Sequence, residues 1–261
     1  MTPDTSFFDV RLAKTQADLL GAQRLRYRVF VEELGGDGVM VDHQARLERD
    51  EFDPIVDHLV LIDRRRDEAT LDHVVGVYRL LPGDRAAEFG RFYCDSEYDL
   101  TRLKATGRSL LELGRSCVLP DYRGGAGVFV MWNALSEYVL SRGVEILFGV
   151  ASFHGTDPAP LAQPLSWLHH HHLAPPELRP VALEPGYQRM DLLPPQDLDR
   201  RAAMLAMPAI IKAYLRLGGQ VGEGAFLDRP FNTTDVLMLM DTVAMSERHR
   251  KFYTARWQTK A

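Results

Sequence analysis

Three observations predict an α/β (α+β) fold, a mixed sheet with flanking helices. The stretch from Leu110 to Trp132, LLELGRSCVLPDYRGGAGVFVMW, reads as a strand, a glycine-rich turn and the opening of a helix. Its apolar run stops at Pro120, which cannot donate to a sheet ladder, and Val128, Phe129, Trp132, Leu135, Tyr138 and Val139 then recur near helical spacing. Two further apolar runs, His58 to Asp63 and His73 to Leu81, flank the charged tip Arg64 to Glu68 as the arms of a hairpin do. Finally, the order of elements is strand, helix, two strands, a long excursion, strand, helix, strand.

The elements follow one another with recognisable signals. Phe8 to Leu12 alternates as a first strand, and Thr15 can cap a helix running to about Leu34. That helix has an apolar face of Leu19, Leu20, Ala22, Leu25, Val29 and Phe30, interleaved with Arg24, Arg26 and Arg28. Gly35-Gly36-Asp37-Gly38 ends it, and a polar segment to Asp57 carries Asp42, Glu48, Asp50, Glu51 and Asp53. Within the hairpin, Gly76 implies a bulge or a close approach by a neighbour. Pro82 to Thr106 offers no clear periodicity. A helix over Gly127 to Arg142 leads to a strand over Glu145 to Phe153, and Pro158 to His172 forms the next helix. Pro175 to Pro195 is proline-rich and irregular; Met207 to Leu217 is a short apolar helix, and Gln220 to Phe226 and Thr234 to Asp241 are the last strands.

With 261 residues and 46% hydrophobic content the chain can bury a substantial core. A net charge of -5 argues against nucleic acid as a partner. Cys94 and Cys117 are the only cysteines, which suits a reducing compartment. The N-terminal residues lack the charged and apolar regions of a signal peptide. No apolar run reaches the roughly 18 residues of a membrane span. The expected location is therefore the cytoplasm, with peripheral contact at the inner face of the membrane left open.

Chemistry concentrates around the glycine-rich turn. Arg123-Gly124-Gly125-Ala126-Gly127 before a helix directs backbone N–H groups at one place, which suits a phosphate or pyrophosphate; the same composition also makes a plain tight turn. Glu112 and Arg115 lie in an otherwise apolar strand, where charge is rarely buried without a partner. They read either as active-site groups or as a structural pair. The carboxylates from Asp42 to Asp57 form either a solvated loop or a receiver for a cationic substrate. Cys117 reads as a small core residue before it reads as a nucleophile. His169 to His172 closes its helix; consecutive histidines point in different directions, so complementing the helix dipole when protonated is the simpler role and no metal is expected.

On these residues the chain resembles the GNAT-type acyltransferases, and within them the branch containing acyl-homoserine-lactone synthases and the ornithine N-acyltransferases of ornithine-lipid synthesis. The matching motifs are Arg26-Tyr27-Arg28-Val29-Phe30, Asp50-Glu51-Phe52-Asp53, Gly76 to Pro82 and Glu112-Leu113-Gly114-Arg115. Ala151 to Pro158 and Phe231 to Leu237 are similar to the ornithine branch. Two positions depart from the pattern: Ala126 stands where the turn expects its first glycine, and Gly36 where the lactone branch has a tryptophan.

The resemblance implies a GNAT-like mixed, mostly antiparallel central sheet flanked by helices, with a C-terminal helical and strand extension. It implies one acyltransferase domain over residues 1–261, with a core of about 8–157 and an extension of about 158–261 completing the sheet and acyl-chain site. It further implies transfer of a 3-hydroxyacyl chain from acyl carrier protein to the alpha-amine of L-ornithine. No cofactor is expected beyond the donor's phosphopantetheine. Glu112 takes the catalytic role, since an amine attacks only after losing a proton. Arg26, Phe30, Asp50, Asp53, Arg79 and Arg115 are the substrate-binding candidates. Val118, Arg123, Gly124, Gly125, Ala126 and Gly127 are the pantetheine and phosphate candidates. Acidic carrier protein would meet Arg102, Lys104 and Arg108, or Arg200, Arg201 and the basic C-terminal residues. The alternatives are an acyl-homoserine-lactone synthase, an acyl-CoA-dependent N-acyltransferase acting on another amine, or a non-catalytic module binding carrier protein or lipid.

Overall fold

The computed structural model describes residues 5–123 and 125–244. Gly124 and the basic C-terminal residues named above lie outside the described residues. In chain order the elements begin with β1 (Phe8–Leu12), α1 (Gln16–Arg26), a π-helical continuation (Tyr27–Glu33), β2 (Asp57–Asp63), β3 (Val74–Pro82) and α2 (Gly83–Phe89). Next come β4 (Tyr98–Asp99), α3 (Thr101–Ala105), β5 (Leu110–Val118), α4 (Ala126–Ser141), β6 (Ile146–His154) and α5 (Ala162–His172). Then β7 (Val181–Ala182), β8 (Tyr187–Gln188), α6 (Arg200–Ala206), α7 (Ala209–Arg216), β9 (Gln220–Val221), β10 (Ala225–Asp228) and β11 (Thr233–Asp241) complete the chain.

Two compact units share these elements, one formed by residues 5–89 and 112–143 and the other by 90–111 and 144–244. The first unit arranges its strands in the order β1-β2-β3-β5. β1 and β2 pair antiparallel, as do β2 and β3, with a register shift between Leu61 and Ile62. Helix α4 packs on β1, β2 and β3, and α1 packs on β2 and β3.

Local chemistry fixes these elements. Thr15 caps α1 in a reciprocal capping box: its hydroxyl accepts from the Asp18 N–H at 3.0 Å while Asp18 accepts from the Thr15 N–H at 3.1 Å. Asp18 also accepts from both terminal nitrogens of Arg11, tying the helix start to β1. Two glycines are demanded by packing. A Cβ on Gly76 would meet the Met131 sulfur at 2.6 Å, and one on Gly127 would meet Leu61 at 2.8 Å and Phe8 at 3.3 Å. Gly76 therefore marks both irregularities expected of it, close approach and a nearby register shift.

In the second unit β6 and β11 pair antiparallel along their whole length, with β10 on the other side of β11 and β8 on β10. The hydroxyl of buried Tyr98 holds the unit's interior: it donates to the carbonyls of Gly224 at 3.1 Å and Asp235 at 2.9 Å and accepts from the Leu237 N–H at 3.2 Å. Ser166 on α5 does the same with Met190, Leu192 and Leu193. At the end of α5, burial pushes the imidazoles of His169 and His172 below their ordinary value, so these two are not the protonated dipole partners expected from sequence. No helix of the described residues is long and apolar enough to cross a membrane.

The expected mixed, mostly antiparallel fold is thus the one that forms. The stretch from Pro82 to Thr106 proves to hold α2, β4 and α3, and α6 precedes the expected apolar helix.

Candidate active site

Within the first unit, a helix, an irregular segment and two strands converge on one charged cluster. Arg26 is the last residue of α1, where the helix changes to the wider π-helical winding that marks functional sites in many proteins. The irregular segment before β2 supplies Glu48, Asp50 and Asp53. β3 supplies Arg79, and β5 supplies Glu112 and Arg115.

Arg26 is fully buried. Its Nη1 and Nη2 donate to the two oxygens of Asp53 at 2.7 and 2.9 Å, its Nε donates to Glu48, and Nη2 also donates to the Glu48 carbonyl at 2.7 Å. Arg79 donates from Nη1 to Asp50 and, at 3.1 Å, to Asp53. Arg115 closes the ring, donating from Nε to Glu48 at 3.0 Å and from Nη2 to Asp50 at 3.3 Å. Gln23 adds a bond to Asp53 at 2.9 Å.

Three guanidiniums and three carboxylates therefore alternate in a nearly closed circuit. Desolvation alone would raise the carboxylates, but the guanidiniums outweigh it. Glu48 is held below the usual range by Arg26, Arg115 and Arg79, Asp50 by Arg79 and Arg115, and Asp53 well below by Arg26 and Arg79. All three are anions at neutral pH and weak bases. Asp50 and Arg115 are the most solvent-reached members of the ring, with side chains 20% and 12% exposed.

Glu112 is buried on the strand beside this ring. It shares one face of β5 with Gly114, two residues on. A Cβ on Gly114 would lie 3.9 Å from Nε and Nη2 of Arg79, an ordinary van der Waals distance, so the Arg79 guanidinium lies over this face of the strand. Arg115 itself has φ +48°, in the left-handed region that non-glycine residues avoid. Strain of this kind gathers at functional sites, and a left-handed residue inside a strand takes neighbouring peptide groups out of the regular ladder.

The glycine-rich turn is built differently. Arg123 donates to the Val118 carbonyl at 2.9 Å and forms a two-pronged pair with Glu33 at 2.7 and 2.6 Å. Gly125, the residue before helix α4, is extended and supplies no side-chain cap, leaving the helix's first N–H groups to a ligand or water. A Cβ on Gly125 would meet only the Tyr122 carbonyl at 3.8 Å, so the backbone is open there. Gly127, by contrast, packs against the sheet. Ala126 opens the helix, and Phe30 is half-buried in the π-helical segment. Burial pushes the Cys117 thiol far up, so it is protonated and no nucleophile.

Sequence reasoning placed Arg26, Asp50, Asp53, Arg79 and Arg115 as separate candidates; the structure brings them together. It adds three residues. Glu48 stood in the carboxylate run without a role. Gln23 carried no signal on a helix face. His58, directly opposite Arg79 in the register, sets its Nε2 at 3.1 Å from the Asp53 carbonyl while its buried Nδ1 has no hydrogen-bond partner among the described residues. A carbonyl only accepts, so Nε2 carries the proton. Burial, then Arg26, lowers the His58 pKa and keeps the ring neutral.

Residues 25–133 match the family described as Acetyltransferase (GNAT) domain. Over 249 residues the chain is 68% identical to an L-ornithine N(alpha)-acyltransferase of Rhodobacter capsulatus, covering 95% of each chain. It is 39% identical over 249 residues to an L-ornithine N(alpha)-acyltransferase of Brucella abortus, covering 95% of this chain and 89% of the relative. Among solved structures, FeeM, an N-acyl amino acid synthase from uncultured soil microbes, aligns with a TM-score of 0.56 at 10% identity over 93% of this chain and 97% of that one. A CoA-dependent acyl-homoserine lactone synthase, BjaI, aligns with a TM-score of 0.52 at 16% identity over 94% of this chain and 84% of that one. At such identities the structural likeness shows the fold.

Proposed function

The chain belongs to the L-ornithine N(alpha)-acyltransferase family and has the GNAT fold, and from that premise we propose that it transfers a 3-hydroxyacyl chain from acyl carrier protein to the alpha-amine of L-ornithine, giving lyso-ornithine lipid. The observation that carries the acceptor side is the ring of alternating buried charges, in which Asp50 and Arg115 are the members solvent reaches and their 3.3 Å contact is the longest. Ornithine carries two amines and a carboxylate. On entry it parts that contact, its side-chain ammonium turning to Asp50 and its carboxylate to the fork of Arg115. Arg26, Glu48, Asp53 and Arg79 stay paired behind them and hold the two in place.

Glu112 then accepts the proton that the alpha-amine loses, directly or through water. The amine nitrogen attacks the thioester carbonyl. The tetrahedral oxyanion is met by backbone N–H groups beside the left-handed Arg115. The first proton passes from Glu112 to solvent; as the amide forms and the C–S bond breaks, the attacking nitrogen gives up a second proton, which the departing thiolate takes, so that one proton is released per turnover. The uncapped start of α4 receives the phosphopantetheine phosphate, and Arg123 reaches it on exchanging Glu33 for the donor. Of the basic residues expected to meet carrier protein, Lys104 is paired with Asp95 and Arg108 with Asp241, whereas among the described residues Arg102 donates only to the Pro176 carbonyl. Arg102 is therefore the freest of the three for an acidic partner. The lipid product places the enzyme at the inner face of the membrane as a peripheral protein.

Purified protein incubated with 3-hydroxyacyl carrier protein and a panel of amines tests this reading. Release of holo carrier protein with ornithine is expected; release only with a different amine would overturn the acceptor, and release only from acyl-CoA would overturn the donor.

A further inference from the structure

In the second unit, α6 and α7 are fixed firmly but leave a surface that water does not explain. Asp199 caps α6 by accepting from the Arg201 and Ala202 N–H groups at 2.7 and 3.2 Å. Gln163 on α5 bonds the Asp199 N–H at 2.9 Å and the Asp197 carbonyl at 3.1 Å, and Lys212 on α7 donates to the Met204 carbonyl at 3.1 Å. Ala203, Ile211 and Tyr214 are buried on the inner side. On the outer side Leu205 is 84% exposed. Arg201 lies four residues before it, so both leave α6 on the same face.

Arg200, Arg201 and Arg216 are exposed and make no ion pair among the described residues. Two of them occupy the first turn of α6, where a cation opposes the helix dipole. A projecting leucine gains by leaving water and exposed guanidiniums gain by meeting anions, and phosphate headgroups over an acyl layer offer both at once.

We infer that the outer face of α6 docks on an anionic lipid bilayer, with Leu205 entering the acyl boundary and Arg200 and Arg201 meeting lipid phosphates. An acidic protein would match the arginines, but it would also have to supply a pocket for a leucine that stands clear of its own helix; a bilayer meets both. The surface follows from these residues alone, and its use, delivering an acylated product where it partitions, rests on the proposed function.

The full chain is sedimented with vesicles of phosphatidylcholine alone and of phosphatidylcholine mixed with phosphatidylglycerol. Binding to the mixed vesicles is expected, weakening with salt. Arg200→Ser with Arg201→Ser lowers the partition coefficient roughly twenty-five-fold, at about fivefold per arginine, and Leu205→Ser lowers it about tenfold. Arg189→Ser, which removes an exposed arginine already paired with Asp191, leaves it unchanged. Equal binding to both vesicle types, or binding indifferent to the α6 substitutions, overturns the inference. So does a rise in the KM for acyl carrier protein in the α6 variants with vesicle binding intact, since that assigns the face to the carrier. Vesicle binding with this pattern but no acylation of ornithine by the unaltered protein leaves the inference standing and removes the proposed acceptor.

Discussion

Arg26 and Arg123 both grip a carboxylate with two nitrogens, yet one is fully buried and the other has a side chain 44% exposed. At Arg26 the partners are Glu48 and Asp53, themselves out of water, and each partner is shared with a second arginine. At Arg123 the partner is Glu33, about as exposed as the arginine. The chemistry of the contact is the same; the cost of breaking it is not. A buried ring must be kept whole, because removing one member strands charge in a poor solvent. An exposed pair can open and close, which is what a donor-side clamp requires.

The largest effect should come from breaking the ring at its centre. Arg26→Met leaves Glu48 and Asp53 short of their main counter-charge and should cost about 3–5 kcal/mol, read as the shift of the urea midpoint, or abolish soluble protein. Adding Glu48→Gln to it should recover part of the loss if charge, rather than packing, is the cause.

Next comes Glu112→Gln. If Glu112 is the base, kcat falls roughly a hundredfold to ten-thousandfold with a small change in melting temperature. A large melting shift with proportionate loss of activity would instead place it with Arg26 among structural charges.

Acidification sharpens the comparison differently. His58 has a folded pKa below its unfolded value, so between the two the unfolded chain binds the proton and the native chain does not. Stability is therefore full above about pH 6.5 and declines as pH falls through that value. The ring carboxylates are likewise depressed, and their contribution is lost only on falling below about pH 4. His58→Gln should flatten the first decline and leave the second, measured as urea midpoint against pH; His169 and His172, also depressed by burial, set the remainder of the first. The smallest effect belongs to Arg123→Ala: at most about 1 kcal/mol of stability, with a raised KM for the acyl donor as its main trace.

Much of this architecture was legible. Thr15 announced α1, alternation announced β1, two apolar runs about a charged tip announced the β2–β3 hairpin, and Pro120 stopped the apolar run of β5 as a residue without a ladder donor must. The unreadable parts share a physical reason. α2, β4, α3 and α6 are too short for a period to repeat, and Tyr98 belongs to the interior through three hydrogen bonds to residues more than a hundred positions away. The charges of the site were visible as residue types, but which arginine grips which carboxylate is a matter of placement. Glu48 looked like one more acid in a solvated loop. Gly127 looked like part of a phosphate turn, and only the positions of Phe8 and Leu61 reveal a steric reason for it. The switch from α to π winding at Arg26 leaves no mark that periodicity can detect over so short a stretch.

Position 115 asks two things of one amino acid. The backbone there prefers glycine or asparagine, and the side chain must be a guanidinium fork that reaches both Glu48 and Asp50. No residue satisfies both demands, and arginine satisfies the one that keeps the ring paired. A saturation library at this codon should therefore favour arginine in both assays: glycine and asparagine relieve the backbone but leave Glu48 and Asp50 without one of their counter-charges, lysine keeps a charge without the fork, and all three fall below arginine in thermal tolerance as well as in turnover.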